Sequence, residues 1–499
     1  MPYVDLVADD DYVSIWYITN TATHDVSGFD PEKPTIIMLH PMLFDTTWLH
    51  NHLDDPRINS NYNIVAFDAR YAGKTLNRPN GKLDHWVEAA DLALACQTLW
   101  LPPAHVWAEE SLATNVAMRF AALFPEMCLS LTLVTVAPPT ELKTLFATFD
   151  EMINLWGFAE DLDSYEHAIS ELLNITVGFV RHSSPIIPEY WPYKSAQEQD
   201  SAFIDEVVAF WQTTYPPFRR SRFMELGNLL MNRVALKQEV LSSIRQPVLL
   251  IHGERNEMHP VKYAQQLIPS LPNVQGGATL YVVKGAHGFI SLTPSSFSIM
   301  NQAFAKFLSR LPRSRSDLVP PSIPMRDRMN RALRQLAEFV ESSAIADRNP
   351  LSSMSFSTIS PVIEKHQTTV LKLYYKDQMS AFSPLASSGR PARKFSERRD
   401  GHWFYSEPDG LSYAGPFLAS GYTSSSADRP SSANPPRSSR NEATYSEPVS
   451  TDIVNDSRMR RATLNVRSVD KHVVKGSMSK MVAGTAPGMP TVGKLLGFD

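Results

Sequence analysis

Short apolar runs of strand length alternate along the first 310 residues with longer stretches in which apolar positions recur every three or four residues. Thr35–Leu39 and Thr279–Val283, with residues 63–68, 106–108, 129–136 and 247–252, read as strands, most of them apolar on both faces as in a parallel sheet. Residues 12–18 alternate instead and predict an edge strand. Between Asp84 and Leu101 the apolar Val87, Ala90, Leu94 and Leu101 face away from Glu88 and Asp91, which predicts an amphipathic helix. Ala113, Val116, Ala117, Phe120 and Ala121 predict a second helix, and further ones are expected over 261–267 and 297–308. Strand and helix in alternation predict an α/β architecture, a mostly parallel sheet with helices on both faces. In such sheets reactive groups gather at the carboxyl ends of the strands, so His40, Asp68, Ser111, Asn256 and His287 are expected to converge.

The pattern changes twice. Residues 140–243 are helical in spacing, rich in Phe, Trp, Tyr and Met, and punctuated by Pro185, Pro188, Pro192, Pro216 and Pro217, which reads as an inserted helical cap. From Leu311 the composition shifts to Arg, Ser and Pro. One helix is expected over 326–343, with a stripe of Met329, Leu333, Leu336, Phe339 and Val340 able to dock on the body or on a protein partner; another is expected over 360–379. Beyond Phe382, Ser, Pro, Arg and Gly dominate, too polar to offset the entropy of ordering. The expected layout is a core of 1–139 and 244–310, a cap of 140–243, a helical extension of 311–382 and a mostly disordered tail of 383–499.

Composition adds few constraints. The 499 residues are 43% hydrophobic and 20% charged, ordinary for a globular protein. Residues 311–499 hold about 26 Lys and Arg against about 18 Asp and Glu, which leaves about −13 on the rest. That surplus is spread too thinly for a nucleic-acid site. Cys96 and Cys128 stand alone in apolar contexts, as buried thiols do in a reducing compartment. The acidic start lacks the order of a signal peptide, and no apolar run approaches the roughly 18 residues of a membrane span. A cytoplasmic protein is expected. No metal-ligand spacing or phosphate-binding glycine loop is present, so no metal or cofactor is expected, and His252 and His259 read as packing residues.

The chemistry centres on residues 106–125. A strand ends at Ala108, Ser111 follows, and a helix begins, which places the hydroxyl on a sharp corner with the Leu112 amide at a helix N-terminus. Around it stand His40-Pro41-Met42, the stretch Asp68 to Thr75 with Arg70 and Gly73, the loop Gly253 to Pro260, and Gly285-Ala286-His287. In this order and spacing, residues 34–310 resemble the α/β-hydrolase fold family. The resemblance implies a serine hydrolase acting on an ester, thioester or lactone of a small apolar molecule. Ser111 would be the nucleophile, His287 the base, and the Met42 and Leu112 amides the oxyanion hole. The aromatic cap would roof the substrate pocket.

Four positions depart from the family pattern. Glu109 and Ala113 flank the corner where Gly is usual, and Glu109 is expected to crowd the turn or to bring a carboxylate to His287. Pro41 replaces a Gly without removing the donor amide. Asn256 occupies the usual acid position, so the acid is assigned to Glu257, with Glu254 and Glu141 as alternatives. Glu110 as a carboxylate nucleophile is a further reading, and the departures together also allow a catalytically reduced protein that binds a ligand or partner.

Overall fold

Continuous runs of Ile, Val, Leu and Met build a central sheet, because such residues fit a pleated surface covered on both sides. The computed structural model describes residues 2–140, 143–177, 201–256, 258–286, 288–292 and 294–397. Its strands are β1 Tyr3–Val7, β2 Tyr12–Thr19, β3 Thr35–Leu39, β4 Asn63–Phe67, β5 Leu76–Asn77, β6 Ala104–Glu109, β7 Cys128–Val134, β8 Val248–Gly253 and β9 Thr279–Val283. Their order is β1-β2-β4-β3-β6-β7-β8-β9, with β5 paired to β2. All neighbours from β4 to β9 are parallel; β2 runs antiparallel to β1, β4 and β5. The alternating strand β2 is thus not the edge strand that its pattern predicts. β1, too short and mixed to register as a strand, covers it.

The helices are α1 His50–Leu53, α2 Pro56–Asn59, α3 His85–Thr98, α4 Glu110–Leu123, α5 Lys143–Gly157, α6 Leu162–Val177, α7 Ser201–Thr214, α8 Arg220–Met231, α9 Gln238–Ser243, α10 Lys262–Leu267, α11 Pro294–Leu308, α12 Met325–Phe339 and α13 Pro361–Tyr375. One face of the sheet packs on α3 and α4, joined by α12; the other packs on α1 and α11, where Trp107 meets Phe304. α5 to α8 lie within the segment expected to form a cap. No helix among the described residues is long and apolar enough to cross a membrane.

The extension changes what α3 means. Glu88 and Asp91, read from the pattern as its solvent face, are only 7% and 4% exposed. The buried guanidinium of Arg70 joins Asp91 to Asp11 and also reaches Ser353 Oγ, so a segment beyond 311 closes over this face. Farther along α3, Gln97 accepts from Arg328 Nη1 and donates to the Ile323 carbonyl. Asp84 caps α3 through the amides of Trp86 and Val87 and also accepts from Thr358. The stripe of α12 (Met329, Leu333, Leu336) lies in the same core cluster as α3 and α4, so it is occupied by the body. The ordered chain also runs past the expected boundary at 382. Leu385 and Pro391 form a β-bridge, and Arg393 and Ser396 bond to residues of α6 and α7.

Candidate active site

The register of the central strands brings two corners together. Leu39 of β3 pairs with Ala108 of β6, so the corners that carry Met42 and Ser111 leave neighbouring strands at the same carboxyl edge of the sheet. At the end of β6 the backbone turns abruptly into α4. Glu110 has φ 59°, and Ser111 has φ 28° and ψ −82°, outside every comfortable region for a residue with a Cβ. The Ser111 amide donates to the Thr135 carbonyl at the end of β7. Leu112 follows in the first turn of α4, where amides have no intrahelical acceptor. A strained serine between the central parallel strand and its helix, under this strand order, decides the architecture.

The chain has the α/β-hydrolase fold. No protein-family model matches the sequence, and no curated protein matches it. Among solved structures, a thermophilic esterase from Thermogutta terrifontis aligns at 13% identity over 62% of this chain and 99% of its own, with a TM-score of 0.47. An enol-lactonase from Burkholderia xenovorans LB400 aligns at 12% identity over 62% and 100%, with a TM-score of 0.45. A bromoperoxidase from Bacillus anthracis aligns at 13% over 62% and 99%, with a TM-score of 0.44.

Within this α/β-hydrolase fold, Ser111 is 1% exposed, and its Oγ has no hydrogen-bond partner among the described residues. The corner after β3 is held from two sides. His40 Nε2 accepts the Ala69 amide, which leaves the proton on Nδ1, where it donates to the Pro41 carbonyl. Leu43 has φ 71°, and the Phe44 amide closes the turn on Pro41. From α7, Trp211 Nε1 donates to the Leu43 carbonyl at 3.1 Å, and Phe210 stacks on Phe44. The cap segment thus grips the loop that carries Met42.

The stretch from Asp68 to Thr75 is a buttress. Asp68 accepts from the amides of Thr46 and Lys74, and a Cβ on Gly73 would sit 1.9 Å from its Oδ2, so the turn needs glycine. Arg222 of α8 donates to the carbonyls of Ala72, Gly73 and Thr75 and ties the cap segment to this loop.

Glu109 departs from expectation. Side chains two apart on a strand share a face, and Glu109 lies with Trp107 on the α1 and α11 side, accepting from its Nε1 at 2.7 Å. His52 Nε2 lies 2.8 Å away, and His52 Nδ1 meets Asn301 Oδ1. Burial alone would lower the His52 pKa; the Glu109 charge and hydrogen bonds outweigh it and raise it. The carboxylate is therefore committed to His52 and Trp107 rather than directed into the corner.

Glu110 points to the loop after β9, where Ser291 Oγ donates to its Oε1 at 3.1 Å. Burial, with the neighbouring Glu109 charge, pushes its carboxyl well above the usual range. Fully buried and turned to the Ser291 hydroxyl, the Glu110 carboxyl faces the loop after β9.

At the acid position, Asn256 donates through Nδ2 to the Gly288 carbonyl at 2.7 Å and accepts the His259 amide at 2.8 Å. It joins the loop after β8 to the loop after β9. Glu254 is exposed and accepts the Gly285 amide at 2.8 Å, so this alternative acid is spent on a turn. His287, Glu257 and Glu141 lie outside the described residues. Burial lowers the pKa of His252, and that of His259 falls further through burial and the Arg233 charge. Cys96 and Cys128 are buried free thiols, and burial pushes Cys96 up to about 12. Nothing in the sequence pattern marks Arg222 or His52, whose partners are more than 50 residues away, while Trp211, expected among the aromatics of the cap, holds the Leu43 carbonyl.

Proposed function

We propose that the protein is a serine hydrolase cleaving an ester, thioester or lactone of a small apolar molecule. The observation that carries this reading is the strained Ser111, with an unpartnered hydroxyl in the first turn of a helix, where amides have no intrahelical acceptor. Such strain persists where the surroundings enforce it and is concentrated at reacting groups. His287 takes the Ser111 hydroxyl proton as Oγ adds to the substrate carbonyl, and the amides of Met42 and Leu112 receive the oxyanion. Collapse expels the leaving group with the proton from His287 and leaves an acyl-serine. Water then adds with His287 again as base, and the acid is released. Glu257 orients the imidazole.

The test is covalent labelling of the full chain with a fluorophosphonate. Labelling of the native protein that disappears in Ser111→Ala, with the melting temperature unchanged, supports the reading. A native protein that resists the probe and turns over no short-chain ester or lactone would overturn it in favour of a ligand-binding role.

A further inference from the structure

The segment 384–397 ends in a latch on the cap segment. A turn closed by the Ala386 amide on the Arg390 carbonyl and the Ala392 amide on the Pro384 carbonyl presents three anchors. Arg393 Nε donates to Glu166 Oε1 at 3.0 Å, and its Nη2 reaches both Asp163 and Glu166 on α6. Phe395 is 1% exposed. Ser396 bonds Asp205 on α7 twice, through its amide at 2.8 Å and its Oγ at 2.7 Å.

Ser396 is itself exposed and lies in a single 3-10 turn, Phe395–Glu397. It is preceded by Arg393-Lys394-Phe395, with cations three and two places before the hydroxyl. An enzyme whose peptide groove is lined by carboxylates recognises that arrangement by charge complementarity. We propose that Ser396 is a phosphorylation site for a kinase selective for basic sequences, and that the phosphate releases the latch from α7.

The hydroxyl oxygen attacks the γ-phosphorus of ATP, the bond to the ADP oxygen breaks, and the hydroxyl proton passes to the base of the kinase. The product places close to two negative charges where Ser396 now donates to the Asp205 carboxylate. The hydrogen bond is lost and like charges face each other. The same phosphate, three residues from Arg393, competes for the guanidinium that holds Glu166 and Asp163.

The helix that is freed matters. Asp205 stands near the start of α7, and Phe210 and Trp211 near its end hold Phe44 and the Leu43 carbonyl beside Met42. Release of α7 at one end therefore loosens the loop over the buried Ser111. Only this last consequence rests on the hydrolase reading; the modification and the release do not.

The full chain is incubated with ATP and the catalytic subunit of the cyclic-AMP-dependent protein kinase, alongside Ser396→Ala. Both proteins retain Thr463, which also follows a pair of arginines, so their difference isolates Ser396. Mass spectrometry is expected to place a phosphate on Ser396. Amide exchange over 201–214 is then expected to quicken about tenfold in the native chain and to stay unchanged in Ser396→Ala, as loss of a charge-assisted bond implies. In Asp205→Asn, which keeps an acceptor without the charge, the phosphate should quicken exchange much less. Absence of phosphate at Ser396, unchanged exchange once it is phosphorylated, or an equal response in Asp205→Asn would each overturn the proposal. Because exchange is read without substrate, an inactive enzyme leaves the result standing. If fluorophosphonate labels Ser111, the labelling rate should rise with phosphorylation.

Discussion

Asn256 shows how one side chain can settle two neighbouring loops. A carboxylate there would face the Gly288 carbonyl that the Asn amide now donates to at 2.7 Å, and the donor would be lost. Restoring the family's usual Asp is therefore expected to weaken the protein rather than to improve catalysis. Asn256→Asp should cost about 1–3 kcal/mol, the penalty for a buried polar group left without its partner, and should lower the denaturant midpoint. An unchanged midpoint together with faster ester turnover would contradict this role. The motifs at His40, Asp68 and Ser111 are legible in the sequence because each is local: a strand end, a turn and a cap within a few residues. The partners of Glu109 are not, since His52 comes from a different segment and only the packing of α1 on β6 brings the two together.

At the scale of elements, α12 is the case where pattern and packing agree. Its stripe at helical spacing predicts a docking face, and Met329, Leu333 and Leu336 are fully buried on the body. Leu333→Ala should cost about 2–5 kcal/mol, as for other fully buried leucines, and should show as a lower melting temperature of the whole body rather than as local fraying. Separate melting of residues 311–397 with the core transition unchanged would show that the extension is an independent appendage. The helix α3 is the opposite case. Its polar positions predict exposure, yet the extension buries them: Arg70 pairs with Asp91 and Arg328 with Gln97, whereas Glu88 Oε1 has no hydrogen-bond partner among the described residues and burial pushes its carboxyl well above the usual range. The approach is close: a Cβ on Gly81 would lie 2.4 Å from the Glu364 carbonyl of α13.

For the whole molecule, buried imidazoles and buried carboxyls pull the response to pH in opposite directions. Burial lowers His85 and His259 well below the usual 6.5, with nearby Arg119 and Arg233 charges adding to it, and lowers His105 to about 4. The unfolded chain therefore binds more protons than the folded one between 6.5 and those values, so their contribution is present above pH 6.5 and is lost as the pH falls. His52 is raised and acts with the opposite sign, contributing below pH 6.5 and losing that contribution as the pH rises through its folded value. With His252, four imidazoles are depressed, and they are opposed on the acid side by His52 and by the buried carboxyls of Glu88, Glu110 and Glu225, which burial raises, the last to about 7. The part carried by His105 is read as a difference: the urea midpoint of the native chain should fall more between pH 6.5 and 4 than that of His105→Gln, and equal falls would contradict this.

The alternation of apolar runs with helical stripes is enough to specify an α/β sheet and to place Ser111 at a strand-to-helix corner, because strand, turn and helix signals are all short-range. The direction of Glu109, the use of Asn256, the burial of Glu88 and Asp91, and the clamp from 384–397 onto α6 and α7 depend on segments up to hundreds of residues apart. Their energies come from desolvated pairs and shared cores, which exist only once the chain has closed on itself.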